Sequence, residues 1–84
     1  MILELHYTLP DRHRRVFAEA YHAATGSLRP PLRSHLSVTR RGTVVRIDCS
    51  EFDGLAQRRQ VARLIEALRP FAHEMARARR VDAG

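Results

Sequence analysis

Residues 34–49 alternate between apolar and polar side chains on both sides of one glycine, and few local structures accommodate such a pattern. A period of two is typical of strands that bury one face. Arg40-Arg41-Gly42 separates the two halves, and glycine readily adopts the positive φ of a tight turn. The pattern therefore predicts a β-hairpin. Its inward positions are Leu36, Val38, Val45, Ile47 and Cys49.

The segment before this hairpin predicts a strand followed by a helix. Residues 2–9 also alternate, and Pro10 ends that strand because proline has no N–H to donate to a ladder. We expect Asp11, alone or paired with Thr8, to cap the helix, and Gly26 to end it. The apolar stripe of the helix is Val16, Phe17, Ala20, Tyr21 and Ala24.

The chain after the hairpin predicts a long second helix, roughly residues 51–80. Ser50 and Asp53 have the spacing of a capping box. Pro70 is expected to kink the helix or restart it. The inner stripe consists of Leu55, Ala62, Ile65 and Leu68, is broadened by Val61 and Leu64, and continues beyond the proline at Phe71, Met75 and Ala78.

The predicted element order is β-α-β-β-α, and 84 residues suffice for one domain. The simplest arrangement is an α+β fold with a three-stranded antiparallel sheet and both helices packed on one face. We expect the domain to span residues 1–80 and residues 81–84 to be frayed.

Nothing at the N-terminus has the pattern of a signal peptide, and no apolar run approaches the length of a membrane span. We therefore expect a cytoplasmic protein that does not contact a membrane. The single cysteine, Cys49, forms no disulfide within the chain and is expected to be a small buried apolar residue.

The sequence argues against an enzyme and predicts no catalytic, cofactor-binding or metal-binding residues. No two of its five histidines lie three or four residues apart, as zinc-binding pairs on a helix do. There is no glycine-rich phosphate loop and no serine in a nucleophile elbow. Asp48, Glu51 and Asp53 are best explained as helix-capping residues.

Fifteen basic residues oppose nine acidic ones, and every basic residue is arginine. Codon bias can explain arginine in place of lysine, but it does not require an excess of base over acid. That excess favours a nucleic acid or an acidic protein surface as the partner. The predicted nucleic-acid-binding residues are Arg29, Arg33, Arg40, Arg41 and Arg46, to which Arg12, Arg14 and Arg15 can add.

A second predicted surface is the stripe of the last helix. A straight helix over residues 51–80 would be about 45 Å long, whereas a six-residue strand spans about 20 Å. The stripe should then project beyond the sheet and contact a partner protein or a second copy of the chain. The predicted partner-binding residues are Leu64, Leu68, Phe71, Met75 and Ala78.

Several local features resemble the small Pcc-type subunit of the KEOPS complex. They are the β-α-β-β-α order, the Ala20-Tyr21 pair, Ser34 and Ser37 alternating with Leu36 and Val38, the strand Gly42-Thr43-Val44-Val45-Arg46-Ile47, and an acidic helix start followed by Leu55. The resemblance covers roughly residues 2–80. It departs from the family at Leu55-Ala56-Gln57-Arg58-Arg59-Gln60-Val61, where the arginine is displaced and asparagine is missing, and at Pro70.

The resemblance implies a non-catalytic subunit that forms a homodimer, docks on the catalytic subunit and helps to hold tRNA during threonylcarbamoylation of adenosine. Two other interpretations remain open. One is a free-standing RNA-binding domain similar to KH domains, although the chain lacks their Gly-x-x-Gly loop. The other is a protein-binding adaptor unrelated to tRNA modification.

Overall fold

The structure is a computed structural model that describes residues 2–29, 31–49 and 54–81. Four antiparallel strands form one sheet in the order β2-β3-β1-β4, and both helices pack on the same face of it. The elements are β1 (Ile2–Tyr7), α1 (Asp11–Ser27), β2 (Ser34–Thr39), β3 (Gly42–Asp48), α2 (Gly54–Ala67), a 3₁₀ helix (Arg69–Glu74) and β4 (Met75–Val81).

The predicted α+β class is confirmed, but the prediction of a three-stranded sheet ending in a long helix is wrong. Helix α2 stops at Ala67, and the residues around Pro70 form a 3₁₀ helix. The chain then returns as β4 along the free side of β1. In a three-stranded sheet β1 would be an edge, so β4 satisfies backbone groups that would otherwise lack partners.

Strand β4 also changes the predicted end of the domain. Val81 was expected to be frayed, yet it lies opposite Ile2 in the β1–β4 ladder. Residues 82–84, which belong to the same prediction, lie outside the described residues.

The predicted hairpin is confirmed, with Leu36 opposite Val45 and Val38 opposite Thr43. Gly42 follows the two-residue turn and has a φ of 151°. A Cβ atom built on it would lie 3.0 Å from the carbonyl oxygen of Tyr7. Both the backbone conformation and the close approach of β1 therefore require glycine at this position.

We expect Gly42→Ala to lower the free energy of unfolding by about 1–2 kcal/mol, because alanine strains this backbone and pushes β3 away from Tyr7. Gly26→Ala is the matched control. Its Cβ would meet no atom within 4 Å and its φ is not positive, so a gain of about 0.4–1 kcal/mol is expected from the unfolded state. Urea unfolding of both variants checks this pair, and equal effects would contradict it.

Helix α1 buries Phe17 and Tyr21 against the sheet, as its apolar spacing predicts. Three details of the prediction are wrong. The helix does not end at Gly26 but continues to Ser27, with Leu28 as the C-cap. Val16 lies at the margin of the stripe and is exposed. Asp11 is not the cap, because Pro10 occupies the N-cap position and no side chain caps the helix; Asp11 instead forms an ion pair with Arg14 in the first turn.

Helix α2 is rotated relative to the prediction. Its buried residues are Gln60 and Leu64, with Leu68 buried just after its end. Leu55 and Ile65, which were expected to face inward, are 63% and 41% exposed. The predicted capping box at Ser50 and Asp53 lies outside the described residues.

The 3₁₀ helix closes the core between α1 and β1. Phe71 is 8% exposed, and its ring meets that of Phe17 edge-on with centroids 5.0 Å apart. The Thr8 N–H donates to the carbonyl oxygen of Glu74 at 2.8 Å, and the Glu74 side chain contacts His13 on α1. These contacts hold the start of β4 to the body of the domain.

The projecting helical stripe does not exist, so the argument for a docking helix is wrong. Three of the predicted partner-binding residues, Leu64, Leu68 and Phe71, are part of the protein's own core. In this conformation no partner can contact their side chains. Met75 and Ala78 are exposed, but they lie on strand β4.

Candidate nucleic-acid interface

The sheet face opposite the helices carries rows of charged and polar side chains. In one row, Arg46 lies between His35 of β2 and Glu4 of β1, and Glu4 lies opposite Arg79 of β4. Directly opposed residues in an antiparallel ladder share a face. We call the surface formed by this row and the next one the outer face.

The neighbouring row is Ser37, Val44, His6 and Arg77, in the order of the strands. Arg46 and Arg79 are thus separated by one strand, and Arg77 extends the positive charge along β4. Adjacent strands lie about 4.8 Å apart, so the backbones of Arg46 and Arg79, two strands apart, are separated by roughly 10 Å.

The structure places the predicted nucleic-acid-binding arginines in different settings. Arg46 is near the centre of the outer face, and Arg40 and Arg41 form the hairpin turn at one end of it. Arg33 precedes β2, and its carbonyl oxygen accepts a hydrogen bond from the Asp48 N–H.

Arg29 is the exception among these predictions. Its guanidinium donates to the carbonyl oxygens of Gly26 and Leu28, at 2.9 Å and 2.7 Å. These contacts terminate α1 and hold the loop that follows it, so the side chain already has a structural role.

Arg77 and Arg79 belong to the outer face but were assigned to the end of a helix. The alternation in Ala76-Arg77-Ala78-Arg79 was the available signal, since a period of two is typical of a strand. The residue types obscured it, because alanine, arginine, methionine and glutamate all favour helices.

Three exposed arginine ion pairs lie on the helical side, each within one turn: Arg14 with Asp11, Arg15 with Glu19, and Arg69 with Glu66 just after α2. Other helical arginines, such as Arg58 and Arg63, form no ion pair among the described residues. Within the described ranges, Arg46, Arg77 and Arg79 form no ion pair. Glu4, which lies opposite both Arg46 and Arg79, contacts His6 Nε2 at 3.1 Å.

No tyrosine or phenylalanine ring lies on the outer face in the part of the chain that the structure describes. Tyr7, Phe17, Tyr21 and Phe71 are all buried in the core. Burial raises the pKa of the Tyr7 hydroxyl, consistent with its position under the helices. The outer face can therefore contact phosphates, and the rings it offers to a base among the described residues are the imidazoles of His6 and His35.

Cys49 lies at the end of β3 beside α2 and is partly buried. Burial raises the pKa of its thiol, and the neighbouring Asp48 acts in the same direction. A thiol with a raised pKa is a poor nucleophile at neutral pH. In the same described ranges, no three histidine, cysteine, aspartate or glutamate side chains are close enough together to hold a metal ion.

Comparison with known proteins gives no relative: no family model, no curated protein and no solved structure matches this chain. Across the described residues, neither helix combines the length and the apolar character needed to cross a bilayer.

Proposed function

We propose that this protein is a non-catalytic RNA-binding subunit that contacts the phosphate backbone of a folded RNA through its outer face. The observation that carries the proposal is the row placing Arg46 and Arg79 on either side of β1, with Arg77 beside them. Arginine presents a planar fork of donors that matches phosphate oxygens.

Tyrosine and phenylalanine rings are absent from the described part of this face, which favours a structured RNA over a single strand. Binding through phosphates positions a ligand but does not read its bases. We therefore expect affinity that depends on the shape of the RNA and on salt, with little dependence on sequence.

The test is a triple variant, Arg46→Gln with Arg77→Gln and Arg79→Gln, titrated with an RNA stem-loop by fluorescence anisotropy at several salt concentrations. If each arginine neutralises one phosphate, the slope of log K against log salt should become shallower by about 2–3, at roughly 0.7–0.9 per contact. Affinity at low salt should fall at least tenfold.

The matched control removes three charges from the helical side: Arg15→Gln with Arg63→Gln and Arg69→Gln. These residues are exposed, and the ion pairs of Arg15 and Arg69 contribute little to stability. We expect this control to change the salt slope by less than one. An equal loss in both triples would mean that net charge alone determines binding, which would overturn the proposal.

The resemblance to the small Pcc-type KEOPS subunit supports a more specific version of the proposal. In that version the RNA is a tRNA, and the protein belongs to a complex that threonylcarbamoylates adenosine. Affinity purification with this chain as bait tests it directly. Recovery of a threonylcarbamoyltransferase subunit is the expected result, and its absence would leave only the general RNA-binding proposal.

A second candidate function is pairing with another copy of the chain through β2. This edge strand contains neither arginine nor a carboxylate, and Val38 on it is half exposed. The other edge, β4, carries Arg77, Arg79 and Arg80, which would repel one another if two copies paired there. The homodimer suggested by the resemblance would then join the two sheets through β2.

A further inference from the structure

A groove of about 430 Å³ lies where the outer face meets the hairpin turn. Val44 and His6 on the two central strands form its floor. One wall is the turn, with Thr39 and Arg41, and the other is the start of β4, with Ala76 and Arg77. We call this the turn groove; it brings together arginines that are 36 positions apart in the sequence.

A β-bulge determines the direction of Arg77. Tyr7 lies opposite Met75, whereas the preceding residue, His6, lies opposite Arg77, so Ala76 is an extra residue in β4. Bulges bend a strand and redirect its side chains, and they are common beside binding sites. Because of this bulge, Arg77 shares the outer face with His6, while Met75 shares the inner face with Tyr7.

The opposite wall is fixed by hydrogen bonds within the turn. The Thr39 hydroxyl donates to the carbonyl oxygen of Gly42 at 3.0 Å and accepts from the Arg41 N–H at 3.3 Å. The ladder pair between Tyr7 and Thr43 also holds the end of the turn against β1. The backbone of Arg41 is thereby held in place beside the groove before any ligand arrives.

The charges around the turn groove favour an anion. In the described ranges, the side chains of Arg41 and Arg77 form no ion pair. His6 contacts Glu4, which lies in the next row of the outer face and does not line the groove. Two guanidinium groups, each with a fork of donors, and one imidazole therefore border a concave space without a competing carboxylate in its lining.

A second groove on the outer face, of about 290 Å³, has a similar set of cationic side chains. It lies at the other end of the sheet and is also lined by two arginines and a histidine: Arg33, Arg46 and His35. Asp48 lines it as well, and a carboxylate repels an anion. Each groove is lined by two arginines and one histidine, but only the second groove also contains a carboxylate, that of Asp48.

We propose that the turn groove binds a phosphate monoester, which is the terminal phosphate of an RNA chain when the RNA lies on the outer face. A monoester carries close to two negative charges at neutral pH, which suits two arginines. A diester carries one, and its chain continues on both sides. The proposal rests on the proposed function for the RNA, but the phosphate site can be tested alone.

The first experiment compares two RNA stem-loops of the same sequence, one with a 5′-phosphate and one with a 5′-hydroxyl. We expect the phosphorylated RNA to bind at least about tenfold more tightly, which corresponds to about 1.4 kcal/mol. Arg41→Gln and Arg77→Gln should each remove most of this preference. Arg79→Gln is the control: it lies on the same strand outside the groove and should weaken both RNAs equally.

The second experiment uses inorganic phosphate alone, titrated into the protein and followed by the NMR signals of the His6 ring and the Arg41 and Arg77 side chains. Saturable shifts at these groups, lost in the Arg41→Gln and Arg77→Gln variants, support the site. Their absence overturns it. Equal affinity for the two RNAs overturns the terminal-phosphate assignment while leaving RNA binding intact, whereas failure of both RNAs to bind overturns the proposed function instead.

Discussion

Phe71→Ala should lower the free energy of unfolding by about 3–5 kcal/mol, the usual cost of replacing a buried phenylalanine with alanine. Phe71 is 8% exposed and its ring meets Phe17 edge-on, so the substitution removes both apolar burial and an aromatic contact. Chemical denaturation followed by circular dichroism measures the change. A loss of this size is a large part of the total stability expected for a small domain.

Met75→Ala is the matched control, because Met75 follows the same 3₁₀ helix but is 36% exposed at the start of β4. We expect it to cost less than about 1 kcal/mol, as most exposed substitutions do. The two residues would behave alike if both lay on an exposed helical stripe. Similar losses in the two variants would therefore contradict the position of Phe71 in the core.

His13→Ala should lower the free energy of unfolding by about 1–3 kcal/mol, the usual cost of leaving a buried polar group without its partner. The Glu74 side chain is 9% exposed, and one of its oxygens lies 2.5 Å from His13 Nδ1. Its other oxygen, Oε2, has no hydrogen-bond partner among the described residues, so removing His13 would leave the carboxyl group poorly compensated.

His73→Ala provides the control for this site. His73 is 3.9 Å from the same Glu74 oxygen, but its side chain is 71% exposed, so we expect little change in stability. Adding Glu74→Gln to His13→Ala should recover part of the loss, because the buried charge is then removed. No recovery in the double variant, measured by urea unfolding, would mean that His13 acts through packing against Phe71 instead.

The local patterns that predicted β1, α1 and β3 are strong because each has one buried face and a clear end, whereas β2, whose Val38 is half exposed, was found through the hairpin turn. Pro10 cannot extend β1, and Gly42 adopts the positive φ that follows the turn. Leu5, Tyr7, Val45 and Ile47 are buried at the period of two expected for these strands. Periodicity and turn residues therefore identified these four elements.

Strand β4 was missed because its side chains carry no burial pattern. Residues 75–80 are all exposed, so the short alternation of alanine and arginine over residues 76–79 is not accompanied by a buried apolar face. The helix propensity of its residues then dominates any reading of the local sequence. Pairing with β1 outweighs that propensity, and such a long-range contact leaves little local signal.

The rotation of α2 has a similar cause. Leu55, Val61, Leu64, Ile65 and Leu68 are apolar over more than half of the helix circumference, so spacing alone does not decide which of them face the sheet. Burial of a polar residue, Gln60, then shifts the stripe in a way that hydrophobicity does not indicate.

The candidate site was predicted in part. Arg40, Arg41 and Arg46 were identified because the sequence predicted the hairpin that contains them. The alternation along its strands also indicated that Arg46 faces away from the core. Arg77 and Arg79 could not be placed there without β4. The turn groove could not be predicted for the same reason, since one of its walls depends on the β-bulge in β4.

The pairing of β1 with β4 has a consequence for how the molecule forms. It brings Leu3 next to Arg80, so this ladder closes a loop that contains most of the domain. Contacts between such distant segments form slowly, because the entropy of loop closure is lost before they provide any stabilisation. We expect a late phase in refolding kinetics, with hydrogen exchange protection appearing in β1 and β3 before it appears in β4.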